Sequence, residues 1–299
     1  MLPSELTTPQ VTILTPTWNR RHLLPRLYDS LVAQQAPHGI FEWLVVDDGS
    51  TDGTSDWLTT LIPGAPFPIR VIRQENGGKH RALNRAAREL LSPWVLIVDS
   101  DDWLLLGAME RILKDSASAT PDVLAIIAPL EIAGRPPRRF TLPGRTVSFA
   151  EWMDQRQVGD TSIIMKSHLL RENPFPEFDG ERFIAESSSF SRMFRHGGVW
   201  LSNAATTEGA YLSDGLSARS LALRTKNPLG AIFTYREHLR SDLRWGLRLR
   251  NKINYYRFFA HARHIGQDPA TYGFTAGYLG RMMGGIMARI DRLNSMEKN

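Results

Sequence analysis

Four short apolar runs punctuate the first third of the sequence, and stretches with helical spacing separate them. Residues 11–16 (VTILTP), 41–50 (FEWLVVDDGS), 69–74 (IRVIRQ) and 94–99 (WVLIVD) read as strands. Between them, residues 20–35 place Leu23, Leu24, Leu27, Leu31 and Val32 on one helical face, with Pro25 suited to a first turn. Residues 54–62 and 79–91 read as two further helices. Helical spacing resumes around 107–116, and 122–132 (DVLAIIAPLEI) reads as a fifth strand. Nearly continuous apolar strands alternating with helices predict an α/β fold: a mostly parallel sheet covered on both faces. Such sheets bind ligands beyond the carboxyl ends of their strands. Polar clusters stand at four of those ends: 15–19, 47–52, 76–79 and 99–102.

The chain has 299 residues, room for one large domain or two modest ones. It has no cysteine, which excludes disulfides, thiolate metal sites and cysteine nucleophiles. The net charge of +5 is uneven: from residue 221 onward Lys and Arg outnumber Asp and Glu by more than two to one. From 227 the pattern is helical and rich in Arg, Leu and Tyr, predicting a boundary near 220 and a helical C-terminal region at 221–299. The first ten residues lack a basic start and an apolar segment, and no run approaches 18 apolar residues. A secretory signal and a membrane-spanning helix are therefore not expected, and a cytoplasmic location is.

Three strand ends carry candidate chemistry. In VVDDGSTDGT, Asp47, Asp48 and Asp52 flank a Gly-Ser turn; a carboxylate there can accept hydrogen bonds from a base or ribose, or can simply cap the turn. In NGGKHRALN, paired glycines permit close backbone approach, and Lys79, His80 and Arg81 open a helix. Cations at a helix N-terminus oppose its dipole, so an anion such as phosphate is expected nearby. In VDSDDW, Asp99, Asp101 and Asp102 crowd one strand end. Three carboxylates cannot cheaply remain ionised together without a cation, and Mg²⁺ or Mn²⁺ answers that need. The alternative is a turn that caps a helix beginning near Leu106.

Together, TILTPTWNR, LVVDDGSTDGT, NGGKHRALN and VLIVDSDDWL resemble, in this order, the family 2 glycosyltransferases of GT-A fold; the match covers roughly residues 10–115. The resemblance implies an inverting transferase that uses a nucleotide-diphosphate sugar, a UDP-sugar first, with Mg²⁺ or Mn²⁺. It implies that Asp47 reads the nucleobase, with Pro16, Thr17, Trp18, Asn19 and Asp48 beside it. Gly78, Lys79, Asn84, Asp99 and Ser100 fall near the nucleotide. Asp99 and Asp101 form the DxD motif, and Asp101 or Asp102 holds the metal. It also implies a catalytic domain over 1–220, with a donor half at about 10–115 and an acceptor half at about 116–220.

Residues 158–187 and 211–217 resemble one branch of that family. Where relatives have a lysine after Gly-Asp, this chain has Thr161, and it lacks the usual Glu-Asp pair. Glu186 is the expected general base, ahead of Glu181 and Asp179. Glu181 otherwise reads as a surface charge in a loop. Asp160 binds acceptor hydroxyls or caps a turn. Asp214 is a candidate late metal contact on a Gly/Ser-rich loop that suits a closing lid. The tryptophans are expected mostly in the core, with Trp103 and Trp152 able to stack on a sugar. Of eight histidines, His80 alone falls in a motif, and the rest are expected to face solvent.

Expected partners are the donor and a carbohydrate, lipid-linked or natural-product acceptor, without nucleic acid. The C-terminal helices are expected to pack on their neighbours; contact with the inner face of a membrane and homo-oligomer formation are the other readings. A nucleotidyltransferase is disfavoured because TPTWNRR lacks the glycine-rich loop expected after the first strand. A degenerate nucleotide-sugar-binding protein is disfavoured by intact Asp47, Asp99 and Asp101.

Overall fold

β1 (Val11–Thr17) and β2 (Phe41–Asp47) are buried along their entire length, as expected for central strands of a covered parallel sheet. The computed structural model describes residues 8–136, 139–155, 160–210 and 220–296, with the side chains of Gln155 and residues 294–296 left aside. α1 (Leu24–Val32) connects β1 to β2, carries Pro25 in its first turn and buries Leu24, Leu27 and Leu31. Each fully buried leucine stabilises the fold by about 1.5–3 kcal/mol relative to exposure. α2 (Thr54–Leu61) leads to β3 (Ile69–Arg73), and α3 (Lys79–Ala87) leads to β4 (Trp94–Ile97).

These four strands are parallel and ordered β3-β2-β1-β4. The chain builds outward from β1 to β3, then returns to the other side of β1. That reversal opens a crevice at the carboxyl ends of β1 and β4. The core beneath includes Trp43, whose indole donates to the Thr15 hydroxyl at 3.0 Å, with Phe41 and Phe67 packed alongside.

Beyond β4 the sheet turns mixed. β5 (Asp102–Leu104) precedes α4 (Ala108–Ser118) and β6 (Val123–Ile132). β7 (Arg145–Val147) and α5 (Phe149–Gln155) lead to β8 (Thr161–Lys166), which lies antiparallel between β4 and β6. α6 (His168–Glu172) and α7 (Ser187–Met193) follow. β9 (Gly198–Leu201) pairs with β6 and β7, and β10 (Thr207–Gly209) pairs with β6 and, antiparallel, with β5. α8 (Ser220–Lys226), α9 (Pro228–Leu239), α10 (Trp245–His264) and α11 (Tyr278–Met296) complete the chain.

Two compact units result: Met1–Pro174 with Met193–Tyr211, and Phe175–Arg192 with Leu212–Asn299. In the second unit the ring of Tyr235 on α9 stacks on Phe258 of α10 at 5.8 Å. Glu181, expected as a surface charge, is 2% exposed there. Its carboxylate accepts from the amides of Leu229 and Gly230, both at 2.8 Å. It therefore satisfies two of the donors that the start of α9 leaves open. His238 and His261 are buried rather than facing solvent. Among the described residues, no helix is long and apolar enough to cross a membrane.

Candidate functional site

Hydrogen bonds between loops gather the four polar strand ends of the parallel half. Asn19, just past β1, takes a left-handed backbone (φ 52°). Its amide donates to the Ser50 hydroxyl at 2.8 Å, and its side-chain carbonyl accepts from the Thr51 amide at 2.8 Å. The turn after β2 is thus tied to the end of β1. Asp48 ties that same turn to the next loop. One of its carboxylate oxygens accepts from Gln74 Nε2 at 2.7 Å and the Gly77 amide at 2.9 Å. The other accepts from Asn76 Nδ2 at 3.2 Å and the Gly78 amide at 2.7 Å. Gly49, at φ 78°, lets the two loops meet, because a Cβ there would stand 2.8 Å from the Asn76 nitrogen. Lys79, the first residue of α3, completes the series with an ion pair to Asp99 at 2.5 Å.

Asp47 is fully buried. One of its oxygens accepts from the Ser50 amide at 2.9 Å, and the other takes the Ser55 hydroxyl. Its carboxylate therefore works inside the turn, while that of Asp48 works across to the next loop. Trp18, expected in the core, is 53% exposed at the mouth of β1. The last residue of β1, Thr17, is buried, and its hydroxyl has no hydrogen-bond partner among the described residues. A buried hydroxyl left over at a crevice is available to a ligand. Pro16 precedes Thr17 in the same strand, Ser100 is buried beyond β4, and Asn84 is buried on α3.

Asp99, Asp101 and Asp102 each offer a carboxylate oxygen, and these atoms lie within 4.8 Å of one another. At that spacing two like charges repel by about 3–4 kcal/mol at an effective dielectric near 20. Lys79 pairs with Asp99, and the charges of Lys79 and Arg20 reach Asp101, but they offset only part of this. Burial, then the charge of Asp99, pushes Asp101 above the ordinary carboxylate range. Burial, then Asp99 and Asp101, pushes Asp102 up to about 8, and Asp160 adds to it. Three hard oxygen donors with a surplus of negative charge fit a small divalent cation.

Asp102 does not cap the following helix. It opens β5, while Gly107, at φ 71°, stands at the N-terminus of α4. Asp102 pairs instead with Gly209 of β10. A Cβ at Gly209 would overlap the Asp102 carboxylate, so only glycine leaves that side chain where it is. The sequence groups Gly209 with the Gly/Ser-rich loop that suits a lid; in the structure it belongs to β10, opposite a residue more than a hundred positions earlier. Arg20, immediately after Trp18-Asn19, is legible in the sequence as a basic residue at a strand end, and its charge reaches Asp101.

Trp103 and Trp152 are both buried. The Arg26 guanidinium covers the Trp103 ring at 3.1 Å from its centroid, and the Trp103 indole donates to Glu208 at 3.2 Å. Trp152 packs edge-on against Phe149 and Phe194. Both rings serve packing and offer no face for a sugar. Asp160 is exposed, and its charge reaches Asp102. In the second unit, Glu186 stands at the N-terminal end of α7, where its carbonyl accepts from the amides of Ser189 and Phe190. Asp179 is exposed. Asp214, with residues 211–217, lies outside the described residues.

Residues 12–158 match the family model described as Glycosyl transferase family 2. An uncharacterized glycosyltransferase of Nostoc sp. is 31% identical over 123 residues, covering 41% of this chain and 37% of that protein. The poly(ribitol-phosphate) beta-N-acetylglucosaminyltransferase TarS of Staphylococcus aureus is 31% identical over 107 residues, 36% of this chain and 18% of TarS. The chain thus spans well under half the length of either relative. The crystal structure of S. aureus TarS 1-349 with UDP-GlcNAc superimposes with a TM-score of 0.65 at 17% identity, covering 92% of this chain and 78% of that one. The mannosyltransferase PcManGT of Pyrobaculum calidifontis, with GDP-Man and Mn²⁺, gives 0.57 at 18% identity, covering 94% and 84%. At such identities the likeness speaks for the fold.

Proposed function

Residues 12–158 make this chain a member of glycosyl transferase family 2 with the GT-A fold, and from that premise we propose that it transfers a sugar from a nucleoside-diphosphate sugar to an acceptor hydroxyl. The observation that carries the reading is the convergence of four parallel-strand ends on one acidic cluster, with Lys79 inside it. A nucleoside diphosphate needs a surface for the base, donors for the ribose and phosphates, and compensation of charge on the pyrophosphate. Exposed Trp18 and the leftover Thr17 hydroxyl suit the first two needs. Asp47 and Asp48 hold the turns that shape this wall from within. Lys79 and Asp99 suit the ribose and phosphate side.

Asp101 and Asp102, with Asp99, would hold Mg²⁺ or Mn²⁺, which would offset charge growing on the leaving diphosphate. The reaction we assign is a single inverting displacement. The acceptor oxygen bonds to the anomeric carbon, and the bond from that carbon to the diphosphate oxygen breaks. The bonding pair leaves with the nucleoside diphosphate, and the acceptor proton passes to Glu186 as general base. The fixed charges of Lys79 and Arg20 act without reorganising during the reaction. Asp160, beside the cluster, is assigned to an acceptor hydroxyl, and Asp214 to a late metal contact. Trp152 and Glu181 are assigned to packing and capping, away from the acceptor. A UDP-sugar is the first donor choice, because the TarS structures hold UDP and UDP-GlcNAc. The acceptor class is a carbohydrate, a lipid-linked saccharide or a natural product.

The test is a panel of UDP-, GDP- and dTDP-sugars read by release of nucleoside diphosphate, with and without Mn²⁺. The expected result is one preferred nucleotide and a requirement for the cation. No binding of any nucleotide sugar by the wild-type chain overturns the reading.

A further inference from the structure

α11 (Tyr278–Met296) has two faces that do opposite things. Its inner face is made of small residues: Gly280, Gly284 and Ala288 are buried. A Cβ on Gly280 would run into the Tyr256 ring, and one on Gly284 into the Tyr256 backbone, so α11 lies close against α10. Asp291, the one acid in α11, also turns inward. It bonds Arg257 through two nitrogens and accepts from His261 Nε2 at 2.9 Å.

The outer face carries Leu279, Met282, Met283, Ile286, Ile290 and Leu293, each between 46% and 67% exposed. They recur at spacings of three and four, so they form one stripe. Six large apolar side chains at half exposure present roughly 500 Å², near the upper end of what a monomer leaves to water. Tyr278 stands at the head of the stripe, 77% exposed. The exposed charges on α11 are Arg281 and Arg289. Arg289 borders the stripe, Arg281 lies farther round the helix, and the acid is turned away and neutralised, so the stripe and its rim complement an anionic lipid surface. A second copy fits less well. Two such faces packed together would bring an arginine from each copy to the rim with no acid on the stripe to pair it.

We propose that the outer face of α11 is an in-plane membrane-docking surface, seating its apolar stripe in the interface while Arg289 at its rim meets anionic headgroups. This goes beyond the proposed transferase activity and does not depend on it.

The experiment is flotation of the full chain with vesicles of phosphatidylcholine alone or with about one third phosphatidylglycerol. The chain is expected to float with the anionic vesicles and far less with the neutral ones. Arg289→Ser should weaken binding by roughly five-fold, Arg281→Ser should weaken it less, and high salt should mimic the loss. Ile286→Glu with Ile290→Glu should abolish flotation. Met283→Ser is the milder change on the same face, used if the double variant loses helical circular dichroism, and it should lower the bound fraction several-fold. Equal binding to both vesicle types, or none to either, overturns the proposal. So does a dimer in light scattering that Ile286→Glu dissociates, which would assign the stripe to a second copy.

Discussion

Two groups of acids, one in each unit, are treated differently. In the helical unit Glu181, Glu237 and Asp291 are answered from within the chain. Glu181 takes two backbone amides of α9. Glu237 is paired with Arg236 and Arg240, and Asp291 with Arg257 and His261. In the sheet unit, Asp99, Asp101 and Asp102 stand together with Lys79 and the field of Arg20 as partial compensation. A buried acid with matched partners is explained by the fold alone. A cluster in which Asp99 raises Asp101, and both raise Asp102, fits the cation proposed for it.

The contrast breaks most sharply at Asp101. Asp101→Ala should lower cation-dependent release of nucleoside diphosphate about 10³-fold, in line with several kcal/mol for such a site. Thermal unfolding should be unchanged or slightly improved, because a repulsion is removed. A marked loss of stability would place Asp101 with the structural acids. Glu186→Gln should keep donor binding and cut transfer by about 10²–10⁴-fold, the range of a lost general base; unchanged turnover would move the base elsewhere.

Gly209→Ala probes the cluster from the backbone side. Its methyl should displace the Asp102 carboxylate and lower turnover roughly 10²-fold, the usual effect of misplacing a group by about an ångström. The far-ultraviolet circular dichroism spectrum should not change. Ordinary turnover in that variant would mean Asp102 is a bystander. The helical unit should answer in the opposite currency. Glu181→Ala should destabilise it by about 1–3 kcal/mol, the range for charged hydrogen bonds left unmade. Denaturant titration reads this, and donor affinity should not move.

The smallest effect is the acid response of the α10–α11 seam. Burial raises the pKa of Asp291, but the hydrogen bonds from Arg257 and His261 outweigh it, so the group sits below its ordinary value. That stabilisation is present above the unfolded carboxylate pKa and is lost as pH falls through the lower folded value. Burial also holds His261 below its ordinary value, against the pull of Asp291. The unfolded state therefore takes up that proton first once pH drops below about 6.5. The protection of α11 amides, taken relative to intrinsic exchange at each pH, should fall in two stages on acidification, and Asp291→Asn should remove the lower one. A single stage in the wild type would contradict the assignment.

Much of the site was legible before any coordinates. β-branched runs, helical spacing between them and polar residues where each run stopped are local features. They placed β1 to β4 and the aspartates 99, 101 and 102 at strand ends. The later strands β5, β8, β9 and β10 were not legible. They are three to six residues long, and each forms against partners far away in sequence. Glu181 read as a loop charge because its amide donors lie 48 and 49 residues onward. His238 is buried for the same reason, with Asn251 and the Ser187 carbonyl as its partners.

Sequence by itself determined the α/β class, the succession of strand ends and the crowding of acids after β4, because backbone periodicity and chain order settle all three. Only the tertiary structure decided which acids are occupied. Asp47 and Asp48 are committed to holding turns and loops, Glu181 and Asp291 to holding helices, and among the described residues the triad after β4 keeps its mutual repulsion. The physical reason is that a carboxylate's role depends on which donors and charges stand within a few ångströms of it. For Asp48, Glu181 and Asp291 those donors come from residues about thirty to fifty positions away, whereas Asp47 takes its donors from its own turn and the helix after it.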